Sequence, residues 1–322
     1  MSKPVVYLTR LIPDAGLDLL VKAGFSLRIN QKARGLSAEE LIEVAAGADA
    51  VISQLADPIN SAVLESWAPT CKVVATCAVG YDNIDVKTAA KLGMTVTNTP
   101  DVLTHATADL TWALLLATAR RLGEGERLVR AGAWRGWEMM QLMGADVFGQ
   151  SLGIIGAGRI GQAVAKRATG FDMKVCYVAR SEKPEMTAMG AKRVDLDTLL
   201  TTSDFVSLHT ALTPDTHHLL NAKAFDKLKP GAILINTARG SVVDQVEMIA
   251  ALRDGRLAAA GLDVFDGEPA IPNELLEMDN VVMLPHIGSA TVRTRTRMAE
   301  IAANNVIAVL TDKPPQTPVT VS

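Results

Sequence analysis

Ser151-Leu-Gly-Ile-Ile155-Gly156-Ala157-Gly158-Arg159-Ile160-Gly161-Gln162-Ala-Val-Ala-Lys-Arg-Ala168 is the stretch whose reading decides the fold. The apolar run Leu152–Ile155 reads as a strand, Gln162–Ala168 as the helix after it, and Lys174–Val178 as a second strand. In that setting each glycine has its own use. Gly156 permits the tight turn, Gly158 lets backbone approach a pyrophosphate, and Gly161 allows helix and strand to pack closely. The helix N-terminus, with Arg159 and Ile160 at its start, adds amide donors for phosphate oxygens. Glycines also mark ordinary strand-to-helix turns, so the strand, helix and second strand around them are what point to a dinucleotide.

Outward from this stretch, short apolar runs alternate with helical patterns in both directions. Upstream strands are expected at Val5–Thr9, Ser26–Ile29, Ala50–Ser53, Val73–Thr76 and Thr95–Thr97, with amphipathic helices near Asp14–Ala23, Ala38–Ala45, Ser61–Glu65 and Val86–Lys91. A long Ala- and Leu-rich helix follows from about Ala106 to Ala131, then a loop holding Trp134, Trp137 and several methionines. Downstream strands are expected at Phe205–Ser207, Ala232–Ile235, Ala259–Val264 and Val281–Leu284, and a last helix over about Ala290–Leu310. Strand and helix in strict succession imply parallel sheets covered on both faces. The expected fold is α/β: two Rossmann-like or flavodoxin-like parallel-sheet domains with a cleft between them. A discontinuous substrate-binding domain (1–100 and 290–322) receives a dinucleotide-binding Rossmann domain (101–289) as an insertion.

Composition narrows the partners. With 322 residues, 48% apolar and 21% charged, the chain suits two domains of an ordinary globular protein. A net charge of −3 offers no basic field for nucleic acid or an anionic membrane, and Arg293, Arg295 and Arg297 are scattered around a helix axis. No apolar stretch suits a membrane span, and the opening Met1–Arg10 run is too short in its apolar part for a signal peptide. Cys71, Cys77 and Cys176 match no zinc or disulfide framework and read as buried thiols of a cytoplasmic protein. His217 and His218 are adjacent and expected to point apart, so no metal site is expected.

Polar residues follow the downstream strands. Arg239 comes after Gly231–Ile235, Glu268 after Ala258–Val264, and His286 after Asn280–Leu284. In an open parallel sheet, ligands bind outside the carboxyl ends of the strands. A guanidinium there can hold a carboxylate and polarise a carbonyl, because it presents a rigid fork of donors and keeps its charge. An imidazole can deliver a proton near neutral pH, and a carboxylate on its other nitrogen fixes its orientation and keeps the acid form available. Together with the glycine loop, this set points to a dehydrogenase. An enzyme selective for NAD places Asp or Glu about 20 residues after the glycines, where the ribose 2′-hydroxyl lies. Here the chain reads Tyr177-Val178-Ala179-Arg180-Ser181. Arg180 and Ser181 stand where a 2′-phosphate would sit, so NADP(H) is preferred, with NAD(H) as the alternative. Thr107, Thr237 and Ala238 complete the candidate cofactor contacts.

These residues resemble the D-isomer-specific 2-hydroxyacid dehydrogenase family over essentially the whole chain. The resemblance rests on Gly156–Gly161, Asn236-Thr-Ala-Arg-Gly-Ser-Val-Val-Asp244, Gly261-Leu-Asp-Val-Phe-Asp-Gly-Glu-Pro269 and Leu284-Pro-His-Ile-Gly-Ser-Ala-Thr291. It implies that Arg239 binds substrate, Glu268 partners the histidine, His286 is the general acid/base, and Asp263 binds the nicotinamide carboxamide. Ala78-Val79-Gly80-Tyr81-Asp82-Asn83-Ile84-Asp85 is similar to the family loop whose amides bind the substrate carboxylate, which makes Val79 and Gly80 the candidate contacts.

Within the family, Leu103–Trp112 and Ala179-Arg180-Ser181 look most like the glyoxylate/hydroxypyruvate reductase branch. That branch implies NADPH-dependent reduction of glyoxylate and hydroxypyruvate. The Trp134–Gly144 segment resembles a loop that helps form a homodimer in the branch; Met139 and Met140 stand where relatives often carry proline. Two alternatives share the scaffold. Phosphite dehydrogenases carry a basic residue in the carboxylate loop, and Val79 at that place argues against one. Dinucleotide-sensing corepressors keep the fold while working through partner contacts.

Overall fold

Alternation along the strands sets which core each side chain enters. In β1 (Val5–Leu8), Val6 and Leu8 join one apolar cluster while Tyr7 joins another on the opposite face. The computed structural model describes residues 3–32 and 34–320. Met1, Ser2, Ala33, Val321 and Ser322, which belong to the expected first domain, lie outside the described residues. With β2 (Ser26–Ile29), β3 (Ala50–Ser53), β4 (Val73–Thr76) and β5 (Thr95–Thr97), β1 forms a parallel sheet in the order β2-β1-β3-β4-β5. The C-terminal helix Val292–Leu310 covers this sheet and packs on the Asp14–Lys22 helix, where Gly16 leaves room for Ala299. After it, Pro318 bridges Thr97 in antiparallel fashion and Val319 N–H donates to Val96 O at 2.8 Å.

The second sheet holds β6 (Ser151–Ile155), β7 (Lys174–Val178), β8 (Lys192–Arg193), β9 (Phe205–Leu208), β10 (Ile233–Asn236), β11 (Ala259–Leu262) and β12 (Val281–Met283). All pairs are parallel, in the order β12-β11-β10-β9-β6-β7-β8. The strand order reverses at β6, the place where such sheets bind ligands. Leu152 and Ile154 enter one core and Ile155 the other, so both faces are covered. Two parallel-sheet α/β units are therefore present: the described parts of Met1–Leu103 with Ser289–Ser322, and Thr104–Gly288.

The structure corrects two expectations. The long helix is broken in two, Thr104–Ala119 and Leu122–Arg130. Arg121 between them has a φ of 52°, and its guanidinium bonds Glu124 at 2.7 and 2.8 Å. Ala119 O accepts the Ala145 amide at 2.8 Å instead of continuing a helix. The Thr104–Ala119 helix packs within the second unit, with Trp112 Nε1–H donating to Val164 O at 3.1 Å. The second correction is β8, two exposed charged residues too short to show any period. No helix among the described residues is long and apolar enough to cross a membrane. The cysteines are free, and burial pushes the Cys71 and Cys77 thiols up to about 12.

Candidate active site

The glycine loop leaves β6 at the strand-order reversal. Gly156 has a φ of 99°, and a Cβ on it would lie 2.6 Å from the His209 carbonyl. A Cβ on Gly161 would overlap the Gly156 carbonyl oxygen. At Gly158, by contrast, a Cβ would meet nothing within 4 Å, and no side chain caps the Arg159–Ala168 helix that starts there. Crowding therefore demands glycine on both sides of a space that opens onto uncapped amides. That cradle fits a dinucleotide pyrophosphate.

The end of β7 carries no acid. Arg180 and Ser181 are exposed there. Arg193 from β8 donates Nε–H to Ala179 O at 2.9 Å and Nη2–H to Arg180 O at 3.2 Å, while Lys183 Nζ donates to Ser181 Oγ at 3.2 Å. Lys183 and Arg193 carry no mark of this placement in the sequence. The sole signal for Arg193 is a register that pairs it with Tyr177, which only the folded sheet reveals.

Arg239, Glu268 and His286 follow the neighbouring strands β10, β11 and β12. Asn236, 1% exposed, shapes the Arg239 loop: its Oδ1 accepts the Ala238 amide at 3.0 Å and its Nδ2 donates to Arg239 O at 2.9 Å. Arg239 Nη1 donates to Ala238 O at 2.8 Å. The next residue, Gly240, lies flat on the Phe265–Asp266 peptide, where any Cβ would collide. Ser241 Oγ–H donates to Asp266 Oδ1 at 2.5 Å, and the Asp266 amide donates to Gln245 Oε1 at 3.2 Å. The loops bearing Arg239 and Glu268 are thus clamped to each other. Glu268 Oε1 meets His286 Nδ1 at 2.8 Å.

His286 has a φ of 53°, a conformation that its turn must impose. Asp263 does so, its Oδ1 accepting the Ile287 amide at 2.7 Å and its Oδ2 the Gly288 amide at 2.8 Å. Burial raises the Asp263 carboxyl above its usual range, with those amides and His286 pulling the other way. Thr107 Oγ1–H donates to Gly288 O at 3.2 Å, and Thr111 shares a 2.9 Å bond with Thr237. Thr107 and Asp263 therefore gather beside the His286 turn, while Thr237 and Ala238 lie in the Arg239 loop. Val79 and Gly80 are half-buried in the first unit, in the loop after β4.

Among the described residues no group of three or more His, Cys, Asp or Glu could hold a metal ion. His217 and His218 do not point apart: their rings stack with centroids 4.0 Å apart. His218, at a φ of 49°, turns its ring toward Asp244 and Asp266, at 3.6 and 3.7 Å.

An acid–base pair on the same sheet edge as a dinucleotide cradle defines a nicotinamide-dependent dehydrogenase. Comparison with known proteins narrows the class. Residues 112–288 match the model of the D-isomer specific 2-hydroxyacid dehydrogenase NAD binding domain. A glyoxylate reductase of Thermococcus onnurineus is 47% identical over 320 residues, covering 98% of this chain and 95% of the relative. Among solved structures, a Thermus thermophilus protein superposes with a TM-score of 0.92 at 46% identity, covering 98% of this chain and all of the other. The NADPH-dependent glyoxylate/hydroxypyruvate reductase of Sinorhizobium meliloti, in complex with NADP and malonate, superposes with a TM-score of 0.88 at 32% identity, covering 99% and 97%. The chain belongs to the D-isomer-specific 2-hydroxyacid dehydrogenase family.

Proposed function

We propose that this protein reduces small 2-oxo acids, glyoxylate and hydroxypyruvate foremost, to 2-hydroxy acids with NADPH as the preferred donor. The observation that carries the reading is the 2.8 Å contact of Glu268 with His286 beside the clamped Arg239 loop. Bound in the glycine cradle, a reduced nicotinamide cofactor would supply the hydride that the carbonyl carbon of the oxo acid takes up. Arg239 holds the oxo acid and draws electron density toward the carbonyl oxygen. As the carbonyl π bond breaks, His286 Nε2 gives its proton to the developing alkoxide. Glu268 at Nδ1 holds the ring oriented, so that Nε2 faces the substrate. The amides of Val79 and Gly80 serve as carboxylate donors, suited to the task because they add no second buried charge.

The preference for NADPH is supported by the cations at the end of β7, where Arg180, Lys183 and Arg193 stand in place of an acid. A homodimer is supported by the exposed apolar side chains of Trp134, Trp137, Met139, Met140 and Met143, a patch that a second copy of the chain would cover. A cytoplasmic setting agrees with thiols held protonated by burial. Initial rates of NADPH and NADH oxidation with glyoxylate, hydroxypyruvate and pyruvate test the reading. Fast turnover with NADPH on the first two is the expected result. Turnover mainly with NADH would overturn the donor preference alone. Tight dinucleotide binding without turnover would instead favour a dinucleotide-sensing binding protein.

A further inference from the structure

We propose that Asn98, backed by the C-terminal tail, is a positioning residue that aims the Val79 and Gly80 amides at the substrate carboxylate. The proposal rests on the reading of that loop as the carboxylate site. In a planar trans peptide, C=O and N–H point in opposite directions, so anchoring a carbonyl also aims the amide that follows it. Both relevant carbonyls are anchored. Ala78 O accepts the Thr99 amide at 2.8 Å, which sets the direction of the Val79 N–H. Val79 O accepts Asn98 Nδ2–H at 2.8 Å, which sets the direction of the Gly80 N–H. Among the described residues neither the Val79 nor the Gly80 amide donates to a protein acceptor. Half-buried donors with fixed directions and no protein partner are what a carboxylate needs.

Asn98 is itself held by chain far away in sequence. Thr317 Oγ1–H donates to Asn98 O at 2.6 Å, and the Asn98 amide donates to Thr317 O at 3.3 Å. Thr317 is held in turn by Asn305, fully buried in the C-terminal helix. Asn305 Nδ2–H donates to Thr317 Oγ1 at 2.8 Å, and its Oδ1 accepts the Gln316 amide at 2.8 Å. Leaving a buried amide unpaired is costly, so Asn305 pins the tail and the tail pins Asn98. The attachment uses the main chain of Asn98, whereas its side chain reaches Val79. Removing the side chain therefore loosens the loop without releasing the tail.

The test compares glyoxylate with its methyl ester, which lacks the carboxylate charge. In Asn98→Ala the KM for glyoxylate should rise about tenfold, the worth of roughly one hydrogen bond. The KM for the ester, kcat, and NADPH affinity read by fluorescence titration should stay within about twofold. Thr317→Val, which keeps shape and removes the hydroxyl, should give the same pattern at about threefold. It serves as the independent reading if Asn98→Ala fails to fold. An unchanged KM for glyoxylate, or an equal rise for acid and ester, overturns the positioning role. If the unmodified enzyme does not distinguish acid from ester, the carboxylate reading falls and Asn98 with it.

Discussion

Opposite ends of one sheet edge are built to different standards. At β10 to β12, Arg239, Glu268 and His286 sit on loops locked by short bonds, with Gly240 pressed on the Phe265–Asp266 peptide and Asp263 gripping two amides of the His286 turn. At β7 and β8, Arg180 and Ser181 are exposed, tied down mainly through the carbonyls that Arg193 holds. Proton delivery depends on fractions of an ångström, and the loops carrying these groups are held in place by hydrogen bonds and the Gly240 contact. A phosphate can be recognised by charge on flexible side chains, so on the proposed reading donor selectivity would sit at this exposed end. Chemistry and donor preference should accordingly break separately.

His286→Gln strikes the braced end hardest. Turnover should fall by about 10²–10⁴-fold, the usual loss of a general acid, while NADPH affinity in a fluorescence titration holds. Near-full turnover would remove His286 from its role. Glu268→Gln keeps the size of the side chain but removes the charge that orients the ring. A smaller loss of kcat, about 10–100-fold, is expected in steady-state rates, and a pH–rate profile identical to the unmodified enzyme's would contradict the pairing. At the exposed end, Arg180→Ala should weaken NADPH binding about tenfold with NADH binding unchanged, as measured by paired titrations. Equal losses for both donors would mean that Arg180 does not read the 2′-phosphate.

The smallest effect concerns stability. His209 lies beside Gly156, its Nε2 2.8 Å from Ser207 Oγ and its Nδ1 enclosed without a partner. Burial pulls this imidazole down to about 3, against an ordinary value of 6.5. The unfolded chain thus takes up a proton below pH 6.5 that the folded chain refuses until about pH 3, and stability drops progressively as pH falls through that window. In scanning calorimetry, His209→Gln should flatten the decline of Tm between neutral pH and pH 4. Parallel declines would show that acid sensitivity arises elsewhere.

Much of this architecture was legible before folding. The strands Ser26–Ile29, Ala50–Ser53, Val73–Thr76, Thr95–Thr97 and Lys174–Val178 have the bounds expected from their apolar runs. Arg121 carried no such signal, because an arginine at a positive φ is stabilised by Glu124 and by the distant Ala145 amide rather than by its own propensity. Asn98 carried none either. A lone asparagine after a strand acquires its meaning from Val79 and Thr317, which reach it across the sheet.

The sequence by itself determined the parallel α/β class, the glycine pattern of Gly156, Gly158 and Gly161, and the placement of Arg239, Glu268 and His286 after three strands of one sheet. Those features are local, because periodicity, the space a glycine leaves, and the chemistry of a side chain after a strand are written in consecutive residues. Tertiary structure alone decided that Asp263 shapes the turn bearing the imidazole, that Arg193 braces the loop of Arg180, and that residues near 317 hold those near 79. Each of those depends on side chains meeting across long stretches of chain, and only the closed sheets and their packed helices bring them within hydrogen-bonding distance.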